Sequence, residues 1–294
     1  MSLIIWRGHS RHTGDPIIVI AKPGGNDKTN DAISFCVVHY DLAIKIAACA
    51  DTMAGRHLYM ELIRDRENQF VDSVCGSCEH KENKTCYAHY NFQNCGETVA
   101  MIRDALANSN IDGAWGFEHK NFLHFVFSPA KYFRLYVSGS SSALPLAVTK
   151  YIVETMVSEG GKKPLAYLED WDDPQLQALK GSHMASVLTK AELQRAEDLG
   201  WRGFLSITGE GLSGVIPEGS TLCPGSKPFS NLIGVRLSCD GCGMCDGGAG
   251  KSVVVIRHAN GDHPRNKSLV SKGIIPNEII NAKGKAVGLL MVLQ

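Results

Sequence analysis

The sequence predicts an α/β protein: a partial or complete parallel β/α barrel with cysteine-rich metal-binding loops and a small N-terminal β extension. Three observations predict it. Between Tyr132 and Ile207, short β-branched or aromatic runs alternate with segments of helical spacing. Those helical segments carry their own start and stop residues. The cysteines fall in two clusters, each in a polar or glycine-rich stretch rather than in an apolar run. Alternating strands and helices imply parallel units joined by right-handed crossovers.

Length and composition bound this reading. A chain of 294 residues is long enough for one large domain or two small ones. Its 44% apolar content supplies a substantial core and argues against disorder. Lysine plus arginine equal aspartate plus glutamate at 30 each, so a nucleic-acid surface would have to be local. No apolar run approaches the roughly 18–20 residues that span a bilayer. The opening MSLIIWRGHSRH is too short in apolar residues for a signal peptide. The expectation is a cytoplasmic protein with no membrane segment. Ten cysteines in a reducing compartment are read as metal ligands rather than as a disulfide framework.

Three regions are expected: 1–69, N-terminal strands and a helix packed on the barrel; 70–258, the barrel-like core with both cysteine clusters; and 259–294, a C-terminal extension. Leu3–Trp6 and Ile17–Ala21 read as strands of a hairpin, with a turn at Pro23–Asn26. Ile33–Tyr40 reads as a strand and Asp41–Met53 as a helix. Cys36 and Cys49 lie in these apolar elements and read as small buried hydrophobes. Phe70–Val74 reads as a strand running into Cys75. Glu97–Ala107 has one apolar face, Val99, Ile102 and Leu106. Phe117–Phe127 reads as aromatic packing.

From Tyr132 the punctuation is regular. Phe133–Val137, Pro164–Leu168, His183–Leu188 and Arg202–Ile207 are strands. Pro145 suits a first helical residue and Gly160-Gly161 a stop. Asp173-Pro174 starts a short helix, and Thr189-x-x-Glu192 is a capping box. Gly209–Pro228 is a long loop, Ser252–Arg257 a strand, and Gly273–Gln294 one or two more. Sites in such architectures form at the carboxyl ends of strands. Those ends are Ser138–Ser142, Glu169–Asp173, Thr189 and Thr208–Glu210.

Cys239-x2-Cys242-x2-Cys245 is the most specific motif. Thiolates at this spacing bind zinc or an iron–sulfur cluster. Cys223, followed by Pro224, is one candidate for the fourth ligand and His258 the other. Cys75-x2-Cys78-x7-Cys86 is the second motif. Three thiolates on a 4Fe–4S cubane leave one iron open to a substrate or to S-adenosylmethionine. If Cys95 completes this set, the site is closed and structural, and a zinc knuckle is the alternative. Asp170, with Asp172 and Asp173, and Glu210 are candidate acid–base groups. His183 reads as a satisfied polar residue. Gly247–Gly250 before Lys251-Ser252 lacks the spacing and following helix of a phosphate loop. Arg257, His258, His263, Arg265 and Lys267 form a local basic patch, read as a solvated loop or a phosphate-contacting surface.

One resemblance runs through these residues. Cys75-Gly-Ser-Cys78, Cys86-Tyr87-Ala88, Met184–Val187, Gly200–Phe204, Cys223-Pro224-Gly225-Ser226, the CxxCxxC turn and Val255–His258 together resemble a bacteriophage and prophage family of unknown function. That family often has an aspartate where this chain has Ser140, and Cys95 is extra to its pattern. The layout is also similar, more distantly, to radical S-adenosylmethionine enzymes, although the first motif is not CxxxCxxC. A late cysteine cluster with a histidine is similar to tRNA-guanine transglycosylases. The resemblance implies a phage-type iron–sulfur enzyme in the host cytoplasm, acting on nucleotides or nucleic acid. Its alternatives are a zinc-stabilised barrel for nucleic-acid binding or base exchange, and a non-enzymatic factor that binds a host protein.

Overall fold

A hairpin starts the sheet. In the computed structural model, which describes residues 1–24, 29–64, 69–76, 78, 92–110, 113–207, 216–226 and 237–256, β1 (Leu3–His9) pairs antiparallel with β2 (Pro16–Lys22). β3 (Ile33–His39) then adds antiparallel to β2. All three are near-continuous apolar runs, as expected of strands covered on both faces; Ile4, Ile18, Ile20 and Phe35 are fully buried. Each such side chain contributes about 1.5–3 kcal/mol by leaving water.

The same sheet continues in parallel. β5 (Tyr132–Leu135) joins β3, and β6 (Lys163–Leu168), β7 (Met184–Val187) and β8 (Gly203–Ile207) follow side by side. β10 (Val253–Ile256) pairs with β8, and β9 (Thr221–Leu222) lies on the far side of β10. β4 (Gly116–Phe117) pairs antiparallel with β1. The result is a mixed, mostly parallel ten-stranded sheet in the order β4-β1-β2-β3-β5-β6-β7-β8-β10-β9.

The pairing is staggered. β6 meets β5 through Lys163–Ala166 but β7 through Tyr167 and Leu168. β7 in turn meets β8 through Ala185–Val187. β6 therefore offers its first four residues to one neighbour and its last two to the next.

The helices are α1 (Tyr40–Ala47), α2 (Thr52–Arg64), α3 (Gln69–Cys75), α4 (Phe92–Asn108), α5 (His119–Val126), α6 (Leu146–Ser158), α7 (Lys190–Asp198) and the single turn α8 (Cys239–Cys242). Local signals set several of their ends. The Thr189 hydroxyl accepts from the Glu192 amide, and the Glu192 carboxylate accepts from the Thr189 amide, which is the expected capping box. Asp173 accepts from the Gln175 amide and starts a 3-10 helix, Pro174–Leu179. Pro145 is the N-cap of α6 rather than its first residue. The aromatic stretch Phe117–Phe127 is packed only in part: Phe122 and Phe125 of α5 are fully buried, but Phe127 is exposed.

One element differs in type. Phe70–Val74 is helical, in α3, not a strand. Its buried Phe70, Val71 and Val74 lie at helical spacing. Tertiary contacts hold the turn: Phe70 meets the His39 ring edge-on at 4.7 Å, and the Ser10 hydroxyl donates to the Ser73 carbonyl at 2.6 Å.

The sheet has two working faces. Ala185, Val187, Leu205 and Val254 pack with Leu193 and Ala196 of α7. Leu165, Met184, Val253 and Val255 point the other way, with Tyr132, Tyr167 and Phe204. Cys223 and Cys245 belong to this second cluster, and Cys239 packs against it. Among the described residues, no helix is long and apolar enough to cross a membrane. Cys86, Glu210, His258, the basic patch and the C-terminal strands expected after Gly273 lie outside the described residues.

Candidate metal centre and strand-end site

The late cysteines arrive from two directions. β9 delivers Cys223, whose amide donates to the Val254 carbonyl at 2.7 Å. The turn Cys223-Pro224-Gly225-Ser226 closes with the Ser226 amide on the Cys223 carbonyl at 3.0 Å. Cys239 and Cys242 begin and end α8, and Gly243 stops it in the left-handed conformation. A Cβ on Gly243 would stand 2.6 Å from the Tyr132 hydroxyl, so only glycine lets the turn approach β5 so closely.

Arg202, just ahead of β8, ties down the rest of this loop. Its guanidinium donates to the Met244 carbonyl at 2.6 Å, the Gly248 carbonyl at 3.0 Å and the Lys251 carbonyl at 2.8 Å. It also pairs with the Asp246 carboxylate at 3.2 Å. A planar five-donor fork suits this task in a way a lysine does not. The Gly200–Phe204 motif contains Arg202, but its sequence neighbourhood gives no sign of bonds to residues 42 to 49 positions away.

Cys245 ends up buried with three other cysteines near it. Burial pushes its thiol up to about 12; the Tyr167 hydroxyl, donating to its sulfur, pulls it back, and charge on Cys223, Cys239 or Cys242 pushes it further. Cys223, Cys239 and Cys245, from two chain segments, thus lie on the face of the sheet that carries Tyr167, and Cys242 is near enough to act on Cys245 electrostatically. Among the described residues no three Cys, His, Asp or Glu side chains stand close enough together to hold a metal ion. Four thiols are the donor count of an all-cysteine zinc site or a cubane site.

The early cluster lies at the carboxyl ends of the strands. Cys75 is the buried last residue of α3, and the Cys78 amide donates to its carbonyl at 3.2 Å. The Ser140 amide, past β5, donates to the Val74 carbonyl at 2.8 Å and docks this turn beside the β5 end. Cys95 is fully buried on α4, in the same apolar cluster as Cys75, and burial raises its pKa. Cys36 is fully buried in β3, with its thiol pushed up to about 12 by burial, as a packing cysteine should be.

Around the β5 and β6 ends a polar network forms. His12 Nε2 lies 3.1 Å from Ser142 Oγ, Ser142 Oγ donates to Ser140 Oγ at 2.9 Å, and Ser140 Oγ donates to Glu169 Oε2 at 3.2 Å. Gly76 sits directly under His12: a Cβ there would stand 2.6 Å from the imidazole, and its φ of 53° is left-handed. Arg11 pairs with Asp173 and donates to the Ser142 carbonyl at 3.1 Å. Glu169 keeps some exposed surface, yet protein atoms crowd its carboxyl. Burial pushes its pKa up to about 7; its own amide and Ser140 oppose the rise, and the charge of Asp170 adds to it.

The acidic run divides its roles. Asp172 forms an exposed pair with Arg195 at 2.6 Å, and Asp173 is a cap and the partner of Arg11. Asp170 lies beside Glu169. Glu169 opens the strand end Glu169–Asp173, but the sequence does not single it out as a candidate acid–base group; its burial comes from residues distant in sequence such as Ser140. His183 is fully buried, with Nε2 2.8 Å from Ser141 Oγ and Nδ1 2.9 Å from Ser182 Oγ; burial takes its pKa down to about 3. It is the satisfied polar residue expected. Compared with known proteins, the chain matches no family model, no curated protein and no solved structure.

Proposed function

We propose that the protein is an iron–sulfur α/β enzyme of phage type, acting on nucleotides or nucleic acid. Cys223, Cys239, Cys242 and Cys245 hold a closed 4Fe–4S cluster. Cys75, Cys78 and Cys86 hold a second cluster with one open iron, the position for S-adenosylmethionine. The observation that carries the reading is the meeting of Cys223 with the CxxCxxC turn on one face of the sheet. A Tyr167 hydroxyl on Cys245 is the kind of outer hydrogen bond that tunes a ligating sulfur. The phage origin and the nucleotide substrate rest on the motif resemblance.

The partial β/α barrel belongs to the same proposal. From β3 through β8 each parallel strand lies beside its predecessor on the same side. Right-handed crossovers in one direction put their helices on one face. The register stagger is what a closing sheet requires. In such a barrel Cys223, Cys245 and Tyr167 face the interior, and the Cys75 turn with Ser140 and Glu169 rims its mouth.

The same four thiols also suit tetrahedral zinc, and one preparation separates the two. Protein purified without oxygen is expected to be brown, with broad visible absorption, and to contain iron and acid-labile sulfide. A colourless protein holding stoichiometric zinc would remove the iron–sulfur reading and leave the zinc-stabilised barrel.

A further inference from the structure

The strand-end network has a direction that its donors and acceptors impose. A serine hydroxyl has one hydrogen to give. Ser140 gives its hydrogen to Glu169 Oε2, so it receives from Ser142. Ser142 has then spent its own, so the contact at His12 Nε2 must be an imidazole N–H donating to Ser142. The chain therefore runs one way, from ring nitrogen through two hydroxyls to a carboxylate. Its serines are buried, while His12 is only partly covered. It links segments far apart in sequence: the loop after β1, the loop after β5 and the end of β6.

We propose that Glu169 is a proton-donating group of the strand-end site and that His12, Ser142 and Ser140 are its conduit to solvent. The ligand class is one with a basic oxygen or ring nitrogen that gains a proton during reaction. The protons balance. The ligand atom takes the proton that Glu169 carries on Oε1, and Glu169 regains one at Oε2 from Ser140. Ser140 regains one from Ser142, Ser142 takes the Nε2 proton of His12, and His12 is refilled from water. Each hydroxyl ends with the single hydrogen it began with. Ser140, Ser142 and His12 act through Glu169 and are positioning residues.

Among the described residues, the charged groups facing this path include Asp170 beside Glu169, and the Arg11–Asp173 pair beside His12. Gly76, next to Cys75, lies against the His12 imidazole. The proposal goes beyond the metal reading and needs no metal, so each can fail without the other.

Infrared spectroscopy of the whole protein tests it. Wild type should show a protonated-carboxyl band that persists at neutral pH and disappears in Glu169→Gln. Ser140→Ala should shift that band, because the hydrogen bond to Oε2 is gone. Ser142→Ala and His12→Gln should slow its hydrogen–deuterium exchange several-fold with the far-ultraviolet circular dichroism unchanged. If Ser142→Ala does not fold, His12→Gln and His12→Phe read the same link from the solvent end. Absence of the band in wild type at neutral pH overturns the proposal. So does exchange that stays at the wild-type rate in folded conduit variants, because the serines would then only tie loops together.

Discussion

Replacing Glu169 by Gln should stabilise the protein at neutral and alkaline pH. The carboxyl is moved from its ordinary 4.5 to about 7, chiefly by burial. Between those values the folded chain holds a proton that the unfolded chain has released, so stability falls as pH rises through that window. The penalty is complete above pH 7. At about 1.4 kcal/mol per unit, a shift of this size amounts to at most about 3.5 kcal/mol. Glu169 keeps some solvent contact, which screens part of it, so a gain of about 1–2 kcal/mol is expected. A glutamine carbonyl still accepts from Ser140. Urea denaturation of both proteins at about pH 8 and about pH 4.5 reads the effect: a gain at the first and none at the second. A variant less stable than wild type at the higher pH, or a difference that ignores pH, would refute the reasoning. A carboxyl retained at a cost to stability is what a working site predicts.

Three further outcomes follow from other residues. His183 has its pKa depressed to about 3 from 6.5, so the unfolded chain takes up a proton first as pH falls below 6.5, and stability is lost toward pH 3. At about pH 5 this amounts to about 2 kcal/mol, and His183→Asn should flatten that limb in paired denaturation curves. Arg202→Lys removes the fork that holds the Cys239–Lys251 loop, and should cost about 1–3 kcal/mol and speed loss of metal to a chelator. Thr189→Ala breaks the capping box and should cost about 1 kcal/mol in thermal or urea unfolding.

What was legible in the sequence was local. The capping box at Thr189, the Asp173 cap and the strands from β5 to β8 are set by neighbours within a few residues, and all appear where expected. Phe70–Val74 misled because a short apolar run fits a strand or a helix equally well. His39, Ser10 and Ser140 decide it, and none is near in sequence. Cys223 lies in the same apolar cluster as Cys239 and Cys245; the sequence offers it beside His258 because a proline follows it. Glu169 and His12 carry no such mark. They meet only because the loops after β1 and β5 dock together through bonds such as the Arg11 amide to the Ala143 carbonyl. Asp170, the candidate of the acidic run, lies next to Glu169, whose burial no local pattern announces.

The central claim is that Cys223, Cys239, Cys242 and Cys245 bind one metal centre together. Metal and sulfide counted per chain in anaerobically prepared wild type, Cys223→Ser and Cys36→Ala test it most directly. The account predicts that Cys223→Ser loses the metal of one centre while remaining folded. It predicts that Cys36→Ala keeps the full complement, because Cys36 is a packing residue of β3. Wild type without metal, or Cys223→Ser with as much as wild type, would contradict it.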